Sequence, residues 1–547
     1  MPVNKITVRR WRNLKASAFV ATLALLAGCK TMPTSLAELP FASQLGAAPL
    51  SPTAALPPPS ERTWPTVAQD ELNQRARGFG LVNAPEMQRY LNGLYARIKT
   101  QAGVPDWPGS VHILANEALQ AYATGAGNLY VSLPWLNSVQ SEDELVALLS
   151  HEFGHVYLHY HQLEGAVANA DATASLLALG VALVQKTTQA TGWTDVDSMA
   201  TAYVLGRGLV TTVYGRSQES AADNFGLNVS LKLGYSYEHG MKAFLERMAS
   251  WEEKNEANEK EKQAQILKMV RERAISKIAK QNPTPNSALS VSLAQSQGEV
   301  SANVDSALQQ FAFELNKVSE KLRSDHPLTV ERMDTLALAV ASIPELHIDK
   351  EPVSRSLEAA RKEKRTATLL SNYALALAVL KAPGDPGALA QARKATTGVT
   401  ASHALPLYAL YTVLSKQPAT ARNRRIDPGQ VLEANFKSES DRAWKIYQTR
   451  SSGLQEGRQT AAAKKVMDQG LSYFQNAEEA WPEAIRFYGE TQGWDDAKRM
   501  AQNCGKNFQR MTSRCNEASA SPAERATAER KLKEKSGQFM QKMLKTP

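Results

Sequence analysis

The spacing of apolar residues predicts a mainly helical chain with one small sheet. Between residues 66 and 102 apolar side chains recur every three or four positions, most clearly over Met87–Ile98, and this is the period of an α-helix. Three short segments are instead typical of strands: Ser110–Leu114, Gln120–Thr124 and Asn128–Ser132. After Pro134 almost the whole chain returns to the helical period. We therefore predict a mainly α fold with a small β-sheet.

Residues 251–323 differ in composition from their surroundings. They are rich in lysine and glutamate at first, then polar, and they end in a narrow apolar seam between Val304 and Leu322. The pattern predicts a hairpin of two solvated helices, with a docking arm for a partner as the alternative. This charged insertion interrupts a domain that we place at residues 66–350. The apolar run Ala172–Val184 is too short to span a membrane and predicts a buried helix.

The last third of the chain is typical of successive helices. From about Ser354 onward proline and glycine breaks separate the helical segments, and Ala367–Ala395 and Trp481–Cys504 each predict a helical hairpin. These hairpins resemble tetratricopeptide-type repeats. The resemblance implies an α-helical, tetratricopeptide-like domain at residues 354–547.

The first residues have the pattern of a secretory signal. Five basic residues among the first fifteen precede the apolar run Ala16–Ala27, and Gly28 and Cys29 follow. The sequence Leu-Ala-Gly-Cys resembles the lipobox of bacterial lipoproteins, in which the signal is cut before a lipid-bearing cysteine. The resemblance implies that residues 1–28 are removed, that Cys29 is lipidated and that Lys30 sorts the protein to the outer membrane of a Gram-negative bacterium, facing the periplasm. An unprocessed membrane anchor is the alternative.

Composition and charge narrow the class of protein. Residues 29–65 contain eight prolines, which predicts a semi-extended tether. The net charge is +9, but the first 28 residues carry five positive charges and no acid, so the processed chain would keep only +4. This charge is too small to indicate a polyanion, and we expect no nucleic acid partner. A hydrophobic content of 43% with 21% charged residues excludes a mainly disordered or polytopic membrane chain.

Besides Cys29, the chain contains two cysteines, Cys504 and Cys515. Both would lie in the oxidising periplasm, where thiols can pair. Their separation suits two facing helix ends joined by a turn, but spacing does not fix the geometry of a disulfide. A disulfide and two free thiols therefore both stay open.

The segment His151-Glu-Phe-Gly-His155 carries the candidate chemistry. Its two histidines are four positions apart, so both imidazoles lie on one face of a helix, one turn from each other, where they can share a zinc ion. Glu152 stands beside them and can take a proton from water on the metal. A capping box, Ser141-Glu-Asp-Glu144, starts this helix, and an apolar stripe is expected to bury another of its faces.

A catalytic zinc ion has three protein ligands and one open position, so a third ligand is needed. Glu219 and Asp223 are also four positions apart, and the small residues between them would let their helix approach another closely. Glu219 can ligate the metal, and Asp223 can accept the outer N–H of a ligand histidine. Taken alone, such a pair is more often a solvated acidic face.

Four motifs follow one another along the chain: Ser141–His155, Glu219-Ser-Ala-Ala-Asp223, Gly234-Tyr235, and His326-Pro327 ahead of Glu331-Arg332. Together they resemble the gluzincin metallopeptidases, which include the BepA-type and HtpX-type proteases and the CAAX prenyl protease of the Ste type. The resemblance covers about residues 66–345. It implies one zinc ion per chain, held by His151, His155 and Glu219, with Glu152 as the general base.

The same resemblance implies two further roles. His326 would approach the metal and either occupy its open position or stabilise the oxyanion, with a plain helix-capping histidine as the alternative. The segment Gln120–Val131 is similar to the family's edge strand and glycine turn, so Gln120, Ala121 and Tyr122 are expected to pair with an extended substrate. Three residues of this segment depart from the family pattern, which leaves the strand register open.

The sequence thus predicts a zinc endopeptidase that hydrolyses misfolded or unassembled envelope proteins while its N-terminal lipid holds it on the outer membrane. Envelope proteins or peptides are the expected substrates, and outer membrane assembly machinery is an expected partner. The alternative is a periplasmic chaperone or assembly scaffold with little hydrolysis, because a histidine on the zinc would plug its open position. A zinc-stabilised structural domain is a third reading.

Overall fold

The computed structural model describes residues 65–159, 216–254, 329–341, 350–417, 427–439 and 441–527. The signal peptide, nearly all of the tether, the run Ala172–Val184 and nearly all of the charged insertion lie outside these ranges. Up to residue 341 the elements are α1 (Val67–Ala76), α2 (Pro85–Gln101), β1 (Val111–Leu114), β2 (Ala121–Ala123), β3 (Leu129–Ser132), α3 (Leu133–Ser138), α4 (Glu142–His159), α5 (Arg216–Lys232), a π-helical turn (Glu238–Lys242) that continues into α6 (243–254), and α7 (Thr329–Val340).

From residue 350 onward the described chain is helical apart from its connections. The helices are α8 (Arg355–Lys362), α9 (Lys364–Lys381), α10 (Ala388–Ala395), α11 (Ala404–Lys416), α12 (Trp444–Glu456), α13 (Thr460–Tyr473), α14 (Trp481–Thr491), α15 (Trp494–Asn507), α16 (Thr512–Ala518) and α17 (522–527). Short 3₁₀ segments lie at Gly398–Thr400, Pro428–Lys437, Glu478–Ala480 and Gln509–Met511. The prediction of a mainly α fold with a small sheet is confirmed.

The three predicted strands form one sheet in the order β1-β3-β2. β1 runs parallel to β3, and β2 runs antiparallel to it with Tyr122 opposite Tyr130. The free side of β1 is covered by the residues before α2, since the Val82 N–H donates to the Ile113 carbonyl at 2.8 Å. β2 is therefore an edge strand of the described sheet, as the family resemblance implies, and it packs against α4.

Helix α4 is buried on all sides. Ser141 Oγ accepts the Glu144 N–H at 3.1 Å, so the predicted N-terminal cap is present. The Glu144 carboxylate accepts the Gln140 N–H at 2.9 Å instead of returning to Ser141, and it also contacts Arg247. The apolar stripe is buried as expected, but so is every other side chain from 141 to 156, because α2, α5, the sheet and the π-helical turn surround this helix.

The helices after residue 350 pack in successive pairs. The predicted hairpins Ala367–Ala395 and Trp481–Cys504 correspond to α9 with α10 and to α14 with α15. Cys504 and Cys515 are joined by a disulfide between α15 and α16, with their Cα atoms 6.4 Å apart, which settles the alternative that spacing left open. The assignment of tetratricopeptide repeats stays a prediction.

One hydrophobic core extends from the sheet and its helices into the helices after residue 350. It contains Leu91 of α2 and Phe153 of α4 together with Leu357 of α8 and Tyr373 of α9. Arg361 of α8 strengthens this contact by donating to two carbonyl oxygens around α3, each at 2.7 Å. Among the described helices, none is both long and apolar enough to cross a membrane.

Candidate metal centre

The three predicted metal ligands meet where α4 and α5 cross. The Nε2 atoms of His151 and His155 are 3.2 Å apart. Glu219 places Oε2 at 3.5 Å from His151 Nε2 and Oε1 at 3.7 Å from His155 Nε2. Each side chain thus offers one ligand atom within 4.8 Å of the other two, as a shared metal ion requires.

Small residues allow the two helices to approach this closely. A Cβ added at Gly226 of α5 would lie 3.1 Å from the backbone nitrogen of His151, and one at Gly154 of α4 would lie 3.3 Å from the Cα atom of Ala222. Ala222 is fully buried in the crossing. The small residues noted between Glu219 and Asp223 therefore contribute to the close crossing that the sequence predicts.

Asp223 lies behind His151, on the side away from the other ligands. His151 Nδ1 is 2.9 Å from Asp223 Oδ1, where the carboxylate can accept the ring N–H and leave Nε2 for a metal. Burial favours the neutral form of both groups. The adjacent Asp223 carboxylate nevertheless raises the pKa of His151 above its usual value, and contacts with Arg332 and His151 lower the pKa of Asp223 to about 2.

Arg332 of α7 joins both carboxylates. Its Nε and Nη2 donate to Asp223 at 2.8 and 2.6 Å, and its Nη1 lies 3.1 Å from Glu219 Oε2. The sequence pointed to Arg332 only as part of a motif and gave it no function. Its place in the motif Glu331-Arg332 was the signal in the sequence, but its partner Asp223 lies 109 residues earlier in the chain.

Glu152 lies on the same buried helix as the two histidines, with 8% of its surface exposed. Burial raises the pKa of its carboxyl group to about 7, although the neighbouring His151 acts in the opposite direction. A carboxyl group with a pKa near neutrality can both accept and release a proton. This is the behaviour expected of the predicted general base.

The predicted substrate strand is held mainly through its backbone. Gln120 pairs with Ser132 through both its N–H and its carbonyl group. Tyr122 donates its hydroxyl to Gln74 of α1 at 2.7 Å, so its side chain contacts α1 instead of a free groove. Ala121 is partly exposed on the outer edge.

Asp70 of α1 fixes the turn that follows β2, a role that the sequence did not suggest. Its Oδ2 accepts hydrogen bonds from the Thr124 hydroxyl at 2.8 Å, the Asn128 amide at 2.9 Å and the Tyr130 hydroxyl at 2.7 Å. All four residues are buried. His326 and Cys29 lie outside the described residues, so their predicted roles stay predictions.

Comparison with known proteins agrees with this geometry. Residues 85–339 match the model of peptidase family M48. A Vibrio cholerae protein named "Putative beta-barrel assembly-enhancing protease" is 25% identical over 171 residues, which are 31% of this chain and 34% of that protein. The matched segment therefore spans about a third of the relative's length.

Proposed function

We propose that the protein is a zinc endopeptidase acting on misfolded or unassembled proteins of the bacterial envelope. The match of residues 85–339 to the model of peptidase family M48 supports the peptidase activity. The spacing of the three ligand atoms carries the assignment of zinc. Two imidazole nitrogens and a carboxylate oxygen at about 2 Å from a tetrahedral zinc ion would lie about 3.3 Å from one another. The two imidazole nitrogens are 3.2 Å apart. Oε2 of Glu219 lies 3.5 Å from His151 Nε2 and Oε1 lies 3.7 Å from His155 Nε2, so this carboxylate faces both imidazoles at about the separation that the arrangement needs.

Each residue around the proposed zinc ion has a separate role in the proposed hydrolysis. A bound zinc ion supplies the Lewis acidity that activates water and polarises a peptide carbonyl group. Asp223 keeps the proton of His151 on Nδ1, so that Nε2 is free to ligate. Glu152 accepts a proton from the attacking water on a carboxylate oxygen and returns it to the departing amine. The open edge of β2 presents backbone groups to an extended substrate, and His326 stabilises the oxyanion.

Two observations support an envelope location. The lipobox-like sequence ending at Cys29 is the pattern of an exported lipoprotein. The disulfide between Cys504 and Cys515 is of a kind that persists in oxidising compartments such as the periplasm. The name of the Vibrio cholerae relative concerns beta-barrel assembly, which is consistent with substrates among unassembled envelope proteins.

Replacing Glu152 by Gln tests the hydrolytic part of the proposal. We expect cleavage of a fluorescein-labelled unfolded polypeptide to fall by at least about 100-fold, because the proton acceptor is lost. Zinc content and melting temperature should stay close to those of the parent protein, since the ligands remain. Glu490→Gln, on the exposed face of α14, is the matched control and should cleave normally. Undiminished cleavage by Glu152→Gln would remove Glu152 from the mechanism.

The same variant tests the envelope substrates. Expressed at native level in intact cells, Glu152→Gln should retain uncleaved envelope proteins that can be captured and identified. It should also fail to replace the parent protein in an envelope stress assay. If the variant restores envelope function fully, binding without hydrolysis is the physiological role, and the protein acts there as a chaperone or scaffold.

A further inference from the structure

We infer that Arg332 is the positioning residue that orients the metal ligands before the metal binds. The inference rests on the proposed zinc site and concerns a residue outside the ligand set and the proton-transfer group. Arg332 is almost completely buried, with 6% of its side chain exposed. An arginine buried at this depth must satisfy its charge and its N–H groups locally, and here it does so on two carboxylates of one helix.

The contacts of Arg332 reach both sides of the candidate metal centre. Its Nε and Nη2 form a two-pronged contact with the two oxygens of Asp223, and Nη2 shares Oδ1 with His151 Nδ1. Arg332 therefore holds the Asp223 carboxylate 2.9 Å from His151 Nδ1, and this close contact restricts the plane of the histidine ring. This plane determines where His151 Nε2 points.

The third contact of Arg332 acts on a ligand directly. Nη1 lies 3.1 Å from Oε2 of Glu219, whereas Oε1 faces His155 Nε2 at 3.7 Å. The arginine thus holds Glu219 by Oε2, which also lies 3.5 Å from His151 Nε2, and so sets how the carboxylate faces the two histidines. Without the guanidinium, two carboxylates one turn apart would repel each other in a buried site, and Glu219 would have to be ordered during metal binding.

The geometry requires an arginine and not merely a positive charge. The planar guanidinium directs separate N–H groups toward Asp223 and Glu219 at the same time. A lysine ammonium is a point charge and cannot reproduce the two-pronged contact while also reaching Glu219. Arg332→Lys therefore keeps the local charge and removes the orientation.

A zinc competition titration of the full-length chain tests the inference. Metal-free parent protein and Arg332→Lys are titrated with zinc against a chromophoric chelator, and the melting temperature of each metal-free protein is recorded. We expect Arg332→Lys to bind zinc about 10 to 100 times more weakly than the parent, the usual effect of losing a residue that orients a ligand. Zinc affinity within about twofold of the parent would overturn the inference.

Arg450→Lys is the matched control. Arg450 of α12 is also buried, with 8% of its side chain exposed, and it also bridges two carboxylates, Asp427 and Glu433. Its replacement should lower the melting temperature and leave zinc affinity unchanged. An equal loss of zinc affinity in both variants would show that the effect is a general consequence of a weakened fold, and would also overturn the inference.

Two further measurements keep the test decisive. If Arg332→Lys does not fold, Asp223→Glu takes its place, because it keeps the charge and displaces the carboxylate from both Arg332 and His151. It should weaken zinc binding by about tenfold or more, and unchanged affinity would contradict the inference. If the parent protein itself binds no zinc, the proposed function fails; if the parent binds zinc and the variants match it, only the role of Arg332 fails.

Discussion

Single buried carboxylates determine much of the local order near the proposed substrate strand. Asp70 is the clearest case, because one of its oxygens receives three hydrogen bonds from the turn after β2 and from β3. A buried acceptor with three donors constrains all three donors at once. The position of the edge strand therefore depends on a residue about 50 positions before it in the chain.

Asp70→Ala should lower the free energy of unfolding by about 2–4 kcal/mol, since it leaves three buried donors without their acceptor. Urea denaturation measures this loss. Asp385→Ala, at an exposed position, should change the free energy by less than about 0.5 kcal/mol. A loss at Asp70 no larger than at Asp385 would show that water or other groups replace the carboxylate.

Helical spacing predicted those parts of the candidate site that lie on one helix, and the family resemblance alone joined Glu219 to the two histidines. The spacing of four positions placed His151 with His155 and Glu219 with Asp223, because the helical period relates such positions directly. Arg332 and Asp70 could not be assigned in this way. Their partners lie 109 and more than 50 residues away, and no local period relates them.

At the scale of elements, the crossing of α4 and α5 sets the geometry of the site. The ligands His151 and His155 come from one helix and Glu219 from the other, so any change in the distance between the helices changes the distances between the ligand atoms. Gly226 lies against the backbone of His151, where a methyl group would approach the nitrogen to 3.1 Å. The buried helix α4 has no space in which to move away.

Gly226→Ala should therefore reduce both stability and zinc affinity. We expect a net loss of about 1–2 kcal/mol in the free energy of unfolding, because overpacking outweighs the better helix propensity of alanine. Gly93→Ala is the control: Gly93 is exposed on α2 with no atom within 4 Å of an added Cβ, so stability should rise by about 0.5–1 kcal/mol. Thermal unfolding and the zinc competition titration give both quantities. A Gly226→Ala protein as stable as the parent would mean that the helices can separate freely.

Elements were easier to predict than their surroundings. The periods of apolar residues gave the three strands, α2, and the hairpins of α9 with α10 and α14 with α15. They did not show that α4 is buried on all sides, because a single period cannot reveal how many neighbours a helix has. The π-helical turn at Glu238–Lys242, which packs on α4, has no simple sequence signal and was also missed.

At the scale of the whole molecule, contacts of α1 and of Arg77 join the start of the described chain to segments near its end. The Glu479 carboxylate forms two ion pairs. Oε1 lies 2.7 Å from Nη2 of Arg77, which follows α1, and Oε2 lies 3.0 Å from Nη1 of Arg514 in α16. Arg75 of α1 donates to the Glu439 carbonyl group at 2.9 Å. The segment just before the peptidase core is therefore fastened to the C-terminal helices.

The pH dependence of the free energy of unfolding of Glu479→Gln tests this connection. Burial alone would raise the pKa of Glu479, but the two arginines lower it from 4.5 to about 2. A depressed carboxyl pKa contributes stability that is complete above about pH 4.5 and is lost as the pH falls toward 2. We expect the variant to be less stable by about 1–3 kcal/mol at pH 7, with the difference shrinking between pH 5 and pH 2. Urea denaturation at several pH values measures it, because urea does not screen charges, and a difference independent of pH would exclude an ionic origin.

The hydrophobic core contains residues from both sides of residue 350, and this limits which fragments of the chain can be produced as soluble proteins. Leu357 and Tyr373 belong to the same buried cluster as Leu91 and Phe153. A gene fragment that stops at residue 350 would expose the apolar surfaces that α8 and α9 cover, and such surfaces promote aggregation. A soluble catalytic fragment would have to retain α8 to α11, which share this core, and also the segments around Glu439 and Glu479 that hold α1.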